Sequence, residues 1–257
     1  MKKTISARQI IDSKSSVDGW IVFKHDVETN VGRALKMAKI EAEYGIEATY
    51  YVQGYLLKDN VEQLKEIAKL GHEVTYHYDV LDANKGNFTE ARLEFIEYIK
   101  SFERHGFKID TICPHGNPMM IRSGWNSNKD FFRNKDISKE FNHILDVVVD
   151  LPRQLKAKYK YISDAGFKFQ IIGNIENNDI SNLGDTEIST LKEFKSILNQ
   201  NKKIIFSTHP HRWRSNIFSS TLNKSRFILI KNVALLASKN RGIKQLLSKF
   251  YFLAKKI

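Results

Sequence analysis

The chain has 257 residues, 42% of them hydrophobic, with four prolines, thirteen glycines and a single cysteine. Those proportions exclude a disordered chain and an intrachain disulfide framework, and they suffice for one large core. The formal charge is +12, but residues 194–257 hold fourteen Lys or Arg and no Asp or Glu, which leaves the rest near neutrality; without an accompanying motif, that charge gives no reason to expect a nucleic-acid partner.

The apolar, β-rich run Trp20-Ile21-Val22-Phe23 predicts a strand over 20–23 that stops at Lys24-His25-Asp26. A helix follows over 31–44, with Ala34, Met37 and Ala38 at helical spacing and Gly45 after it. Residues 48–52 predict a second strand, and 61–70 a second helix with Leu64, Ile67 and Ala68 on its apolar side. A third strand over 73–76 leads into His77. Residues 88–102 predict a long helix, and 109–113 a strand running into Pro114-His115-Gly116. The stretch 117–185 is less regular, apart from the apolar run 144–149 and the segment 159–164. A helix over 190–198 and a last strand over 204–208 lead to His209-Pro210-His211. Repeated strand–helix units predict an α/β fold with a largely parallel sheet and helices outside.

His25, His77, His115 and the pair His209/His211 all fall at predicted strand ends. Parallel α/β folds gather functional groups at the C-terminal ends of their strands. His25-Asp26 suits a divalent metal or a base with a carboxylate beside it, and Asp26 equally suits a cap for the next helix. His72 and His77 are five apart and point to opposite faces of a strand, so His77 faces the site and His72 is structural. Asp79 and Asp82 read as oxygen ligands, supporting contacts or solvated loop carboxylates. Around His115-Gly116, Pro and Gly indicate a sharp loop whose backbone N–H could meet a developing oxyanion, or a plain turn. Cys113 reads as a small buried apolar residue rather than a nucleophile. In His209-Pro210-His211-Arg212-Trp213, an imidazole suits a general acid and Trp213 suits the face of a sugar; the other reading is an exposed basic loop. His105 and His143 lie away from strand ends and have no expected role.

Taken together these segments resemble the polysaccharide deacetylase superfamily of metal-dependent carbohydrate esterases. Phe23-Lys24-His25-Asp26-Val27-Glu28 resembles a variant of its first motif, Gly71-His72-Glu73-Val74-Thr75-Tyr76-His77 its second, Pro114-His115-Gly116 its third and Ser207-Thr208-His209 its last. Tyr161-Ile162-Ser163-Asp164 stands where the family has a further acidic segment. The sequence is most similar to a divergent branch associated with bacterial surface-polysaccharide loci. The resemblance implies a distorted (β/α) barrel and a divalent metal, zinc, held by Asp26 and His77. It implies His25 as base, His209 or His211 as acid, and contacts to an N-acylated carbohydrate from His115, Gly116 and Trp213. The family's second metal-binding histidine would fall at Leu81; the third ligand is then Asp79, His115 or water, or is absent. The alternative is a catalytically degenerate barrel that binds a glycan or a biosynthetic partner.

The expected division is a barrel over 1–221 and a basic helical tail over 222–257. Ile243, Leu246, Leu247, Phe250, Leu253 and Ile257 recur at helical spacing among lysines. Such a helix packs on its own barrel or makes a peripheral contact with an anionic membrane. No apolar run follows Lys2-Lys3, and no stretch is apolar enough to span a bilayer, so the expected location is the cytoplasm, with membrane association through the tail.

Overall fold

The structure is a computed structural model that describes residues 3–12, 19–117, 120–156, 158–180, 184–214 and, beyond these, 216, 218, 220–222, 224–225, 228 and 229. Most of the expected tail, including its heptad-like apolar residues, lies outside the described residues. Among the described residues no helix is long and apolar enough to cross a membrane.

The chain opens with β1 (Lys3–Thr4) and α1 (Ala7–Asp12), two short elements that the sequence reading passes over. The alternation then runs β2 (Trp20–Val27), α2 (Val31–Glu43), β3 (Ala48–Gln53), α3 (Gly54–Lys69), β4 (Glu73–Tyr78), α4 (Val80–Ala83), α5 (Phe88–Arg104) and β5 (Thr111–Pro114). The less regular middle holds α6 (Lys129–Arg133), α7 (Lys135–Glu140), β6 (Leu145–Asp146), α8 (Asp150–Gln154), β7 (Lys160–Ser163), β8 (Gln170–Ile172) and β9 (Thr186–Glu187). α9 (Leu191–Gln200) and β10 (Lys203–Thr208) end the sheet. Its strand order is β6-β5-β4-β3-β2-β10-β7-β8-β9, with β1 paired to β2. Pairings from β6 across to β7 are parallel, and β8 and β9 are added antiparallel.

Side-chain alternation along these strands separates two apolar layers. Val27, Tyr50, Val52, Tyr76 and Tyr78 point outward, against Ala34 and Ala38 of α2, Leu57 and Leu64 of α3, and Phe95 and Phe102 of α5. Val22, Tyr51, Cys113, Leu145, Tyr161 and Ile205 point the other way and share one inner cluster. In sheet order β6 and β7 are six places apart, which on a flat sheet is nearly 30 Å at about 4.8 Å per strand. Leu145 of β6 and Tyr161 of β7 nonetheless lie in that one cluster, so the sheet curls into a distorted (β/α) barrel. Ile5, Ala7 and Ile10 join the inner cluster next to Trp20 and stop the barrel at its N-terminal end.

The seam between the sheet's ends is bridged by polar groups. Arg133 of α6 forms a two-pronged pair with Asp179, at 2.8 Å on each arm, and also donates to the carbonyl of Glu176. Lys129 donates to the carbonyl of Ile175 at 2.6 Å. The segment between β8 and β9 is thus tied to the helix that follows β5.

Candidate metal and hydrolytic site

β2 extends to Val27, four residues past the expected end, and this decides which of its side chains share a face. In a continuous strand Lys24, Asp26 and the following Glu28 face the barrel interior, and His25 faces out. His25 accordingly sits beneath α2, its Nε2 2.8 Å from Glu41 Oε1 and its Nδ1 2.6 Å from Thr208 Oγ1. Tyr50 donates to the other oxygen of Glu41 at 2.6 Å. The base expected at His25 is therefore corrected: this buried imidazole belongs to the joint between sheet and helix. Glu28, which the motif comparison quoted but gave no role, stands in the site.

Three donors converge at the C-terminal ends of β2, β4 and β5. His115 Nδ1 lies 3.1 Å from Glu28 Oε1 and 3.3 Å from His77 Nε2. His77 Nε2 lies 3.9 Å from Glu28 Oε1. Donors around a tetrahedral ion with bonds near 2.1 Å stand about 3.4 Å apart, so one carboxylate and two imidazoles are spaced to hold a divalent cation. His77 is oriented from behind, with its Nδ1 donating to the Cys113 carbonyl at 3.0 Å, which turns Nε2 toward Glu28 and His115. Burial opposes charge on His77, but Asp26, the Cys113 side chain and Glu28 outweigh it and raise its pKa to about 10. The same carboxylate-rich surroundings that hold a proton there favour a metal cation in its place.

Asp26, expected as a metal ligand, has another partner. Lys24 Nζ lies 2.5 and 2.6 Å from its two oxygens and 3.3 Å from Ser207 Oγ. Burial opposes charge on both groups, yet each holds the other ionised: Lys24 lies above the ordinary lysine range, and Asp26 below the ordinary carboxylate range. Asp26, His77 and Cys113 also lie close enough to share an ion. That grouping is the poorer one, because an ammonium already occupies the carboxylate and burial raises the Cys113 thiol pKa. Of Asp79, His115, water or no third ligand, the possibilities the sequence leaves open, His115 is the one whose side chain stands beside His77 and Glu28.

Facing these donors is His209, with Nε2 3.6 Å from Glu28 Oε1 and 3.9 Å from Asp26 Oδ2. Its Nδ1 lies 2.5 Å from Asp164 Oδ1, and its backbone N–H donates to Asp164 Oδ2 at 3.0 Å. Trp213 Nε1 donates to Asp164 Oδ2 at 2.9 Å. Burial opposes charge on Asp164, but the His209 contacts and Arg212 hold its pKa below the ordinary range. The segment 161–164 therefore does supply an acidic partner, as the motif comparison suggested. His211 stands beside His209, 5.9 Å between ring centroids, and burial pushes its pKa down to about 4. Trp213 is half exposed and anchored by its indole N–H, and Gly116 is exposed with open space around it.

Asp82, read as a ligand or a solvated carboxylate, is buried. It accepts two bonds from Arg122, at 2.7 and 2.6 Å, and others from Trp125 and Asn128. It anchors the loop that carries His115, whose carbonyl also accepts from Asn128 at 2.9 Å. His72 is structural as expected, with Nε2 2.9 Å from the Ala38 carbonyl.

No protein-family model and no curated protein matches the chain. Among solved structures it is similar to family 4 carbohydrate esterases. One, from Streptomyces lividans in complex with acetate, is 12% identical over 84% of this chain and 91% of that one, with a TM-score of 0.46. A Streptococcus mutans esterase of the same family is 13% identical over 81% and 80%, with a TM-score of 0.48. A pseudoenzyme of that family from Bacillus anthracis is 12% identical over 80% of this chain and 59% of its own, with a TM-score of 0.44.

Proposed function

We propose that the protein is a metal-dependent hydrolase that removes an acyl group from the nitrogen of an N-acylated sugar in surface-polysaccharide metabolism. The observation that carries this reading is the convergence of Glu28, His77 and His115 opposite the His209–Asp164 pair. The motif resemblance to polysaccharide deacetylases supplies the substrate class. Glu28, His77 and His115 hold the divalent cation, zinc in our reading. When bound, it polarises the acyl carbonyl and makes a water acidic enough to attack near neutral pH.

Asp26, ionised beside Lys24, takes the proton from the attacking water. His209 uses Nε2 to protonate the departing amine, while Asp164 fixes its tautomer and balances the charge that the ring acquires. His211 is a neutral imidazole beside the acid, and Trp213 offers an aromatic edge to a sugar ring. Acetate release from N-acetylated oligosaccharides, measured with metal content on the same preparation, tests this. One metal per chain, lost in His77→Ala together with acetate release, is expected. Metal-free, inactive protein from metal-replete medium overturns it.

A second reading draws on the Lys24 ammonium, which covers both oxygens of the proposed base. On that reading the barrel binds an acylated glycan without cleaving it. Saturable glycan binding with no acetate released over many protein equivalents selects it.

A further inference from the structure

Gln53 is the last residue of β3, and its side chain is fully buried. Neither its Oε1 nor its Nε2 finds a hydrogen-bond partner among the described residues. Leaving a buried polar group unpaired costs about 1–3 kcal/mol, and native structures rarely leave one without a reason. The apolar run in the sequence ends at Val52 and gives Gln53 no expected role.

Its place suggests the reason. Tyr51 points into the barrel and Val52 out of it, so strand alternation turns Gln53 inward. Gln53 is paired across the sheet with His77 of β4. On its other side the register Val27–Val52 brings Glu28 next to it along β2. An orphaned carboxamide thus stands between two of the three cation donors, on their face of the sheet, with neighbouring strands about 4.8 Å away on each side.

We propose that Gln53 is a fourth protein ligand of the cation, donating through Oε1. This rests on the reading of Glu28, His77 and His115 as a cation site. Those three supply one negative charge and two neutral nitrogens, and an ion that takes five donors holds one more protein ligand and still keeps a position for the attacking water. A carboxamide oxygen is a neutral, hard donor, so it joins the set without adding charge to a pocket already rich in carboxylate. The amide nitrogen is then left to donate to the adjacent carboxylate. Burial of both amide atoms favours a bare ion over a bulky organic ligand as the partner.

The test is titration of the metal-depleted full chain with Co²⁺ alone, reading the dissociation constant by chelator competition and the ligand-field absorption bands. Wild type, Gln53→Leu, Gln53→Glu and Glu28→Gln are compared, with circular dichroism confirming the fold. Gln53→Leu is expected to weaken Co²⁺ binding by about tenfold or more and to move the bands. Gln53→Glu, which keeps the shape and adds charge, is expected to tighten it. A Gln53→Leu chain with wild-type affinity and spectrum overturns the proposal while leaving the three-donor site standing. If Gln53→Leu does not fold, Gln53→Glu decides, and unchanged affinity and spectrum overturn the proposal. Wild type that binds no Co²⁺ overturns both this and the cation site.

Discussion

At the scale of single residues, Lys24 is the most unusual group in the barrel. Its ammonium is buried, paired with Asp26 on both oxygens and 5.3 Å from the centre of the Tyr51 ring. Truncating one partner of a buried ion pair strands the other charge, which costs about 3–5 kcal/mol. Lys24→Met is therefore expected to lower stability in urea by that amount, and Lys24→Met with Asp26→Asn to recover most of it. A single variant as stable as wild type would show that the pair contributes nothing. Asp164 carries the second residue-scale expectation. Asp164→Asn keeps the shape beside His209 but removes the charge that supports the protonated ring. A fall of about 100-fold or more in kcat is expected for acetate release, and a change below threefold rejects the pair as the acid unit.

At the scale of elements, β6 joins an inner and an outer environment. Leu145 faces the barrel interior, while Asp146 faces Tyr78, whose hydroxyl donates to it at 2.6 Å. Val148 and Val149 donate their N–H groups to its other oxygen at 2.8 and 2.9 Å. Burial and the nearby Asp150 still raise the Asp146 pKa to about 6 from 3.8. Below pH 4 both the folded and unfolded chain hold this proton, and between about pH 4 and 6 the folded chain alone holds it. Stability therefore falls as pH rises through that window, by up to about 3 kcal/mol from this group. Asp146→Asn is expected to flatten the dependence, as read from urea midpoints at pH 4 and 6.5. Equal slopes in the two proteins would exclude Asp146 as its source.

Sequence legibility is also an element-scale matter. The helix over 31–44 and the strand over 48–52 are recovered almost to the residue as Val31–Glu43 and Ala48–Gln53, because their apolar spacing and the glycine after the helix are local signals. The end of β2 was misplaced because Lys24, His25 and Asp26 look like loop residues. They continue the strand because β10 pairs with it as far as His25 and β3 as far as Val27, and partners inside the barrel and under α2 absorb their polarity. One consequence is the loss of His25 from the site. The other is that Asp26 faces the barrel interior, paired with Lys24.

At the scale of the whole molecule, the barrel depends on a seam that backbone hydrogen bonds do not close among the described residues. Arg133 and Asp179 span it, with Ser127 donating to Asp179 at 2.6 Å. Burial opposes charge on Asp179, but Arg133, Ser127 and Lys129 hold its pKa well below the ordinary range. Asp179→Ala leaves the buried Lys129 and the largely buried Arg133 short of their partner. It is expected to cost about 2 kcal/mol in urea unfolding and to speed hydrogen exchange in β7 and β8 before the rest of the sheet. Uniform exchange across all strands would mean that the seam is not the weak edge.

The sequence by itself determined the α/β alternation, the parallel order and the gathering of histidines at strand ends, because apolar period, glycine stops and polar interruptions are written locally. It also placed His77 and His209 at strand ends, where both come within 4 Å of Glu28. Only the tertiary structure decided which polar residues look inward. That choice depends on how far each strand continues, and hence on hydrogen bonds from neighbouring strands that are distant in the chain. It turned His25 outward and Glu28 inward, set His115 beside His77 and made Asp82 a loop anchor. It also brought in Gln53, whose neighbours Glu28 and His77 stand twenty-five residues before it and twenty-four after it.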